Sequence, residues 1–154
     1  MKNIILVLGA LAIAQISPAQ EHRNQQQVPS NVRNSFQRDY PKAGDTRWSE
    51  SGGQWHADFT DRSPKDRGEM TAHYDRHGRH IDSHIPYDDR DVPSEVRRRT
   101  EHRYPHGRDY SYTRIEHPGG QPLFQVSLNL GGAHAHKTTY VDDQGRPRTY
   151  HDGH

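Results

Sequence analysis

Apolar residues recur every four positions at Val28, Val32, Phe36 and Tyr40, which predicts a helix with one apolar stripe. Pro29 suits its first turn, where the missing N–H would have no partner. Pro41 stops it. The period then changes to two. Residues 46–50 and 54–60 flank Ser51-Gly52-Gly53, a hairpin signal. Trp55, Ala57 and Phe59 alternate with His56 and Asp58, so one face of that strand is buried and the other wet. Residues 69–75 put Met70, Ala72 and Tyr74 on one face, and a turn at 75–78 leads into a strand over 79–85.

The same order follows again. Val92, Val96, Thr100 and Tyr104 mark a second, weaker helix, and the arginines Arg97, Arg98 and Arg99 read as its solvated face. Strands are expected over 110–116, over a stretch where Phe124, Val126, Leu128 and Leu130 alternate with polar residues, over 133–141 and over 146–151. Val28-Pro29-Ser30-Asn31-Val32-Arg33 returns as Val92-Pro93-Ser94-Glu95-Val96-Arg97, and Tyr40-Pro41 returns as Tyr104-Pro105, both 64 residues on. Asp75-Arg76-His77-Gly78-Arg79 returns as Asp142-Asp143-Gln144-Gly145-Arg146, 67 residues on. An ordered echo of this kind is an internal repeat. The expected fold class is therefore α+β: two tandem helix-plus-four-strand repeats forming one antiparallel sheet with both helices on one face. Phe36, Trp55, Phe59, Tyr74, Phe124, Val126 and Leu128 are the expected core.

The N-terminus reads differently. Lys2 precedes an apolar run from Ile4 to Ile13, and Ser17-Pro18-Ala19 supplies small residues for cleavage after Ala19. That is a secretory signal peptide, and the run is too short for a membrane-spanning helix, which needs roughly 20 residues. The expected organisation is a signal peptide at 1–19, a disordered linker at 20–27, one repeat at 28–85, a linker at 86–91, a second repeat at 92–150 and a tail at 151–154. The destination is the periplasm or the outside of the cell. With no cysteine, such a protein cannot use disulfides to support a thin core.

Hydrophobic residues make up 29% of the chain and the formal net charge is +1, which falls to about zero without Lys2. A nucleic-acid binder would show a basic face, so that class is set aside. No Gly-x-Ser-x-Gly elbow, cysteine nucleophile or phosphate-cradling loop is present, and no catalytic residue is assigned. Histidine is the unusual residue, with 13 in the chain. Neutral imidazole suits Zn, Cu and Ni. The candidate metal ligands are His56 and His73, opposite the apolar faces of their strands, and His134 and His136, two apart on one strand. His80 and His84 join them only if the register after the 75–78 turn allows, because a one-residue slip reverses a strand's faces. Imidazoles gathered on one face depress each other's pKa, so stability should be lost between pH ~6.5 and pH ~5.

The Val-Pro-x-x-Val helix openings, the Tyr-Pro helix ends, the aromatics Trp48 and Tyr112 and the Asp-x-x-Gly-Arg turns resemble the PepSY-like family of exported bacterial proteins, which are similar to the β-lactamase inhibitor protein. The resemblance runs from Val28 to about Tyr150. It implies an exported, non-enzymatic binding protein that needs no cofactor and engages an unknown protein of the cell envelope, in the manner of a hydrolase inhibitor, through the open face of the sheet. The alternative is a histidine-rich periplasmic protein that binds divalent metal.

Overall fold

The computed structural model describes residues 28–62, 68–131 and 135–150. The expected signal peptide, the 20–27 linker, the 151–154 tail and His134 lie outside them. The element order is α1 (Ser30–Asp39), β1 (Ala43–Ser51), β2 (Gln54–Asp61), β3 (Gly68–Asp75), β4 (His80–Tyr87), α2 (Ser94–Arg103), β5 (Arg108–Glu116), β6 (Leu123–Asn129), β7 (His136–Asp142) and β8 (Pro147–Arg148). The fold class is α+β. Eight antiparallel strands form one sheet in which sequence neighbours are also spatial neighbours.

Both helices are bounded by the same devices. Pro29 (φ −55°, ψ 143°) and Pro93 (φ −51°, ψ 132°) stand in extended conformation just before the first turn. At the far end the Tyr40 N–H donates to the Phe36 carbonyl and the Tyr104 N–H to that of Thr100. The following proline offers no N–H to carry either helix further. The Asp-x-x-Gly-Arg turns also match. In each, one aspartate oxygen accepts two backbone N–H groups, from His77 and Arg79 to Asp75 and from Gln144 and Arg146 to Asp142, at 2.9–3.0 Å. The turn glycines have positive φ, and each turn sits against the opening of a helix. A Cβ on Gly78 would lie 2.8 Å from the Asn31 carbonyl oxygen, and one on Gly145 would lie 2.7 Å from that of Glu95.

Two apolar clusters hold helix to sheet. Val28, Val32 and Phe36 pack with Trp48, Phe59, Met70, Tyr74 and their neighbours. Val92 and Val96 pack with Tyr112, Phe124, Val126 and Val141. Phe36 is the hub of the first cluster, meeting Trp48 at 5.1 Å and Phe59 at 4.9 Å edge-to-face, a favoured aromatic geometry. A polar belt fastens the end of α1 to β4. The Tyr40 hydroxyl bonds the Ser83 hydroxyl, and His80 Nε2 lies 2.7 Å from Ser83 Oγ. Tyr74 donates to Asp39 at 3.1 Å.

Several expectations shift. Trp55 is only half-buried, at the rim of the first cluster beside the β1–β2 hairpin. Leu130 is 41% exposed, because β6 ends at Asn129 and Leu130 already belongs to the hairpin. Pro86 and Tyr87, expected in a linker, extend β4. There β4 pairs with β5 while its pairing with β3 ends at His84, so a strand with one open side accommodates proline. The last strand shrinks from the expected 146–151 to two residues. The arginines of α2 are solvated as expected: Arg98 and Arg99 pair with Glu95, and Arg97 with Asp89.

Candidate functional site on the open face

Side chains that alternate with the core residues point to the other side of the sheet. His56 pairs with His73 across β2 and β3, and their rings are 4.5 Å apart. On β4 the ladder slips. Tyr74 pairs with His80 but His73 pairs with Asp82, so β4 holds one extra residue at Ile81. Bulges re-aim side chains in this way. His80 falls on the core side, stacked on Tyr74 at 5.0 Å. Asp82 and His84 are turned to the open side, facing His73.

The result is a compact constellation. His73 Nδ1 donates to Asp82 Oδ1 at 2.6 Å, and His84 Nε2 lies 3.5 Å from the same oxygen. Tyr150, two residues beyond β8, closes over them. Tyr150 donates its hydroxyl to Asp82 Oδ2 at 2.6 Å, and that hydroxyl is 3.3 Å from His84 Nε2. The Tyr150 ring stacks on Tyr140 at 5.0 Å and on His117 at 5.9 Å. Asp82 is 1% exposed. Ile115, which pairs with His84 on the next strand, is also fully buried. The face is therefore less wet than alternation alone implies.

Beside this constellation lies a cavity of about 290 Å³, lined by residues as far apart in the sheet as Ser51 of β1 and Tyr140 of β7. In a flat sheet those strands would be roughly 29 Å apart, at about 4.8 Å per strand. Residues from both can line one small cavity only if the sheet curls toward this side. A second depression of about 610 Å³, lined by Asp58, Thr71, His84 and Pro86 among others, continues along the same face.

The electrostatics follow from partial burial. Desolvation pushes the His56 imidazole below its ordinary value, and the charge of neighbouring His73 adds to this. Burial likewise lowers His84; Asp82 opposes the shift, and His73, His117 and His56 reinforce it. The expected direction holds for both, but water exclusion is the larger cause and like-charge repulsion the smaller. For Asp82 burial acts upward. The hydrogen bonds from His73 and Tyr150 and the nearby imidazoles outweigh it, and the carboxyl lies below the usual carboxylate range.

Of the four histidines singled out in the sequence, His56 and His73 come together. His136 begins β7 opposite Asn129, exposed and four residues from Tyr140, roughly 13 Å along the strand. His84 joins the first pair and His80 does not, a choice made by the bulge at Ile81. Asp82 and Tyr150 had no signal in the sequence, because neither spacing nor alternation anticipates an irregular strand or a long-range side-chain contact. Among the described residues, no helix is long and apolar enough to cross a membrane.

No protein-family model matches the chain, and no curated protein matches it in sequence. Solved structures match it in shape. A DUF2874 family protein from Bacteroides ovatus aligns with a TM-score of 0.70 at 18% identity, covering 79% of this chain and 84% of the other. A BLIP-like protein from Bacteroides fragilis aligns at 0.67 and 15% identity, covering 79% and 83%. A candidate periplasmic protein from Bacteroides eggerthii aligns at 0.67 and 16%, covering 78% and 85%. The chain has the BLIP-like fold.

Proposed function

We propose that this is an exported, non-enzymatic protein-binding module, inhibitor-like in action, that grips a protein of the cell envelope with the open face of its sheet. The curl of that face carries the reading: residues from β1 and β7 line one cavity, so a convex partner surface can be embraced. Seven long strands of about eight residues span roughly 29 by 27 Å, or roughly 780 Å². That is close to the roughly 800 Å² per partner of a stable interface. The likeness to a BLIP-like protein supports the same reading, and the likeness to a candidate periplasmic protein supports export.

The scaffold for this face is, in our reading, a tandem PepSY-like duplication with both helices behind the sheet. Matching helix caps and turns support it, as do positive φ values at the equivalent Asp45 and Asp109. Register supports the shared face: Ile85 pairs with Arg114, Arg114 with Phe124 and Phe124 with Val141, linking the two apolar clusters on one side. Affinity capture from envelope extract tests the proposal when done with paired variants. Ser127→Arg and Thr138→Glu, on the open face, should abolish capture of a discrete partner; Arg33→Glu and Gln37→Glu, on the exposed side of α1, should leave it intact. The reverse pattern would overturn the proposal.

A further inference from the structure

The geometry points to a divalent transition-metal site formed by His73, Asp82 and His84 and closed over by Tyr150. One ring nitrogen each of His73 and His84 and a carboxylate oxygen of Asp82 all lie within 4.8 Å of one another, the one such group among the described residues. They converge because three independent features agree. The β2–β3 register sets His56 directly beside His73. The extra residue at Ile81 turns Asp82 and His84 to the same side. Tyr150 places a phenol against both. Two imidazole nitrogens and one carboxylate oxygen form a donor set for zinc and its first-row neighbours, whereas calcium and magnesium prefer oxygen alone.

The fit needs side-chain adjustment, because the two ring nitrogens, up to 4.8 Å apart, must close by as much as about 1.5 Å. Tetrahedral zinc with bonds of about 2.0–2.1 Å holds its ligand atoms about 3.3 Å apart. The His84–Asp82 separation of 3.5 Å is already close to this. The His73–Asp82 separation of 2.6 Å must open by roughly 0.7 Å as the metal replaces the shared proton, a shift within reach of side-chain rotation. The adjoining cavity of about 290 Å³ leaves room for a water or an incoming group at the fourth position. The Tyr150 hydroxyl, 2.6 Å from Asp82 Oδ2, holds the carboxylate from behind, as outer partners of metal ligands commonly do. The site uses His73 from the original candidates, has His56 packed against it, and adds Asp82 and His84. It is separate from His136. It stands whether or not a protein docks on the same face.

The test is zinc titration of the signal-free protein by calorimetry, with magnesium as the control metal. Wild type should take up zinc and ignore magnesium. His84→Ala and Asp82→Asn should each weaken zinc binding by at least about tenfold, while His77→Ala and the double variant His134→Ala, His136→Ala keep the high-affinity site. Because Asp82→Asn could disturb folding, NMR of the unmutated protein supplies a second reading. The ring signals of His73 and His84 should shift with zinc before those of His77 and His102. Zinc uptake that survives His84→Ala but vanishes with His134 and His136, or ring shifts confined to other histidines, would overturn the proposal.

Discussion

The two halves of this molecule share a scaffold and differ in what they put on it. Helix caps, Asp-x-x-Gly-Arg turns and the bulge near the start of the first strand recur in both. The interiors do not. Phe36, hub of four aromatic contacts, corresponds to Thr100, which is buried and turns its hydroxyl back to the Val96 carbonyl at 2.7 Å. Trp48 corresponds to Tyr112, whose hydroxyl is buried without a hydrogen-bond partner. The open faces diverge as well. His56 and His73 correspond by strand pairing to Gln125 and Tyr140. Where β4 bulges to present Asp82, the short β8 pairs Arg148 directly with Tyr140. The first half thus has the heavier core and the ionisable site, and the second supplies aromatic surface that closes over it. Among the described residues, the scaffold features match while only the first half carries the ionisable site.

The largest expected effect is in the first core. Phe36→Ala should cost about 3–5 kcal/mol in urea unfolding, by lost burial plus an unfilled cavity. Thr100→Ala at the equivalent position removes one hydroxyl with a local hydrogen bond and should cost about 1 kcal/mol. Equal losses would mean that the two cores are not the unequal pair described here. The turns should behave alike. Gly78→Ala and Gly145→Ala each force a side chain into positive φ, costing about 1–2 kcal/mol, and into a helix carbonyl besides. Both should lower the melting temperature by similar amounts, and a neutral result at either would break the equivalence of the frames.

Acidification should act mainly on the first half. His56, His80 and His84 have folded pKa values lowered below the ordinary 6.5, chiefly by burial. The unfolded chain therefore binds protons first as pH falls. Stability is level above about pH 6.5 and declines below it. A later decline comes from carboxylates of both halves, Asp75 and Asp82 in the first and Asp142 in the second. Asp142, raised by burial but held down more strongly by its bonds from Arg146 and Gln144, lies at about 2. Its contribution is present above about pH 3.8 and lost as pH falls toward 2. Thermal melts from pH 8 to 2 should show these two declines, and His84→Gln should blunt mainly the first. The smallest effect belongs to Tyr112→Phe. Removing a buried hydroxyl with no partner should leave stability unchanged or raise it by up to about 1 kcal/mol.

The helix starts and stops, the strand order and most of the core were legible because they rest on periodicity and on proline and glycine, which act locally. Phe59, Tyr74 and Phe124 needed only alternation to be placed. Trp55 was misjudged because it lies beside a hairpin, at the rim of the first cluster, and the strand expected to reach Leu130 ends at Asn129. The site was half legible. Alternation found His56 and His73, but His84 depended on a register that a single extra residue decides. Asp82 resembles any polar strand residue until its partner across the ladder is known. Tyr150 reaches the site through long-range contacts with Asp82 and His84 that no periodic signal encodes.

The central claim is that the open face, and not the helix side, meets another protein. Site-specific photo-crosslinking in intact cells tests it most directly, with a crosslinking residue placed in turn at Ser127 and Thr138 on the open face and at Arg33 and Gln37 on the exposed side of α1. The account expects a discrete protein adduct from the open-face positions and none from the helix positions. Adducts from Arg33 or Gln37 alone, or from no position, would contradict it.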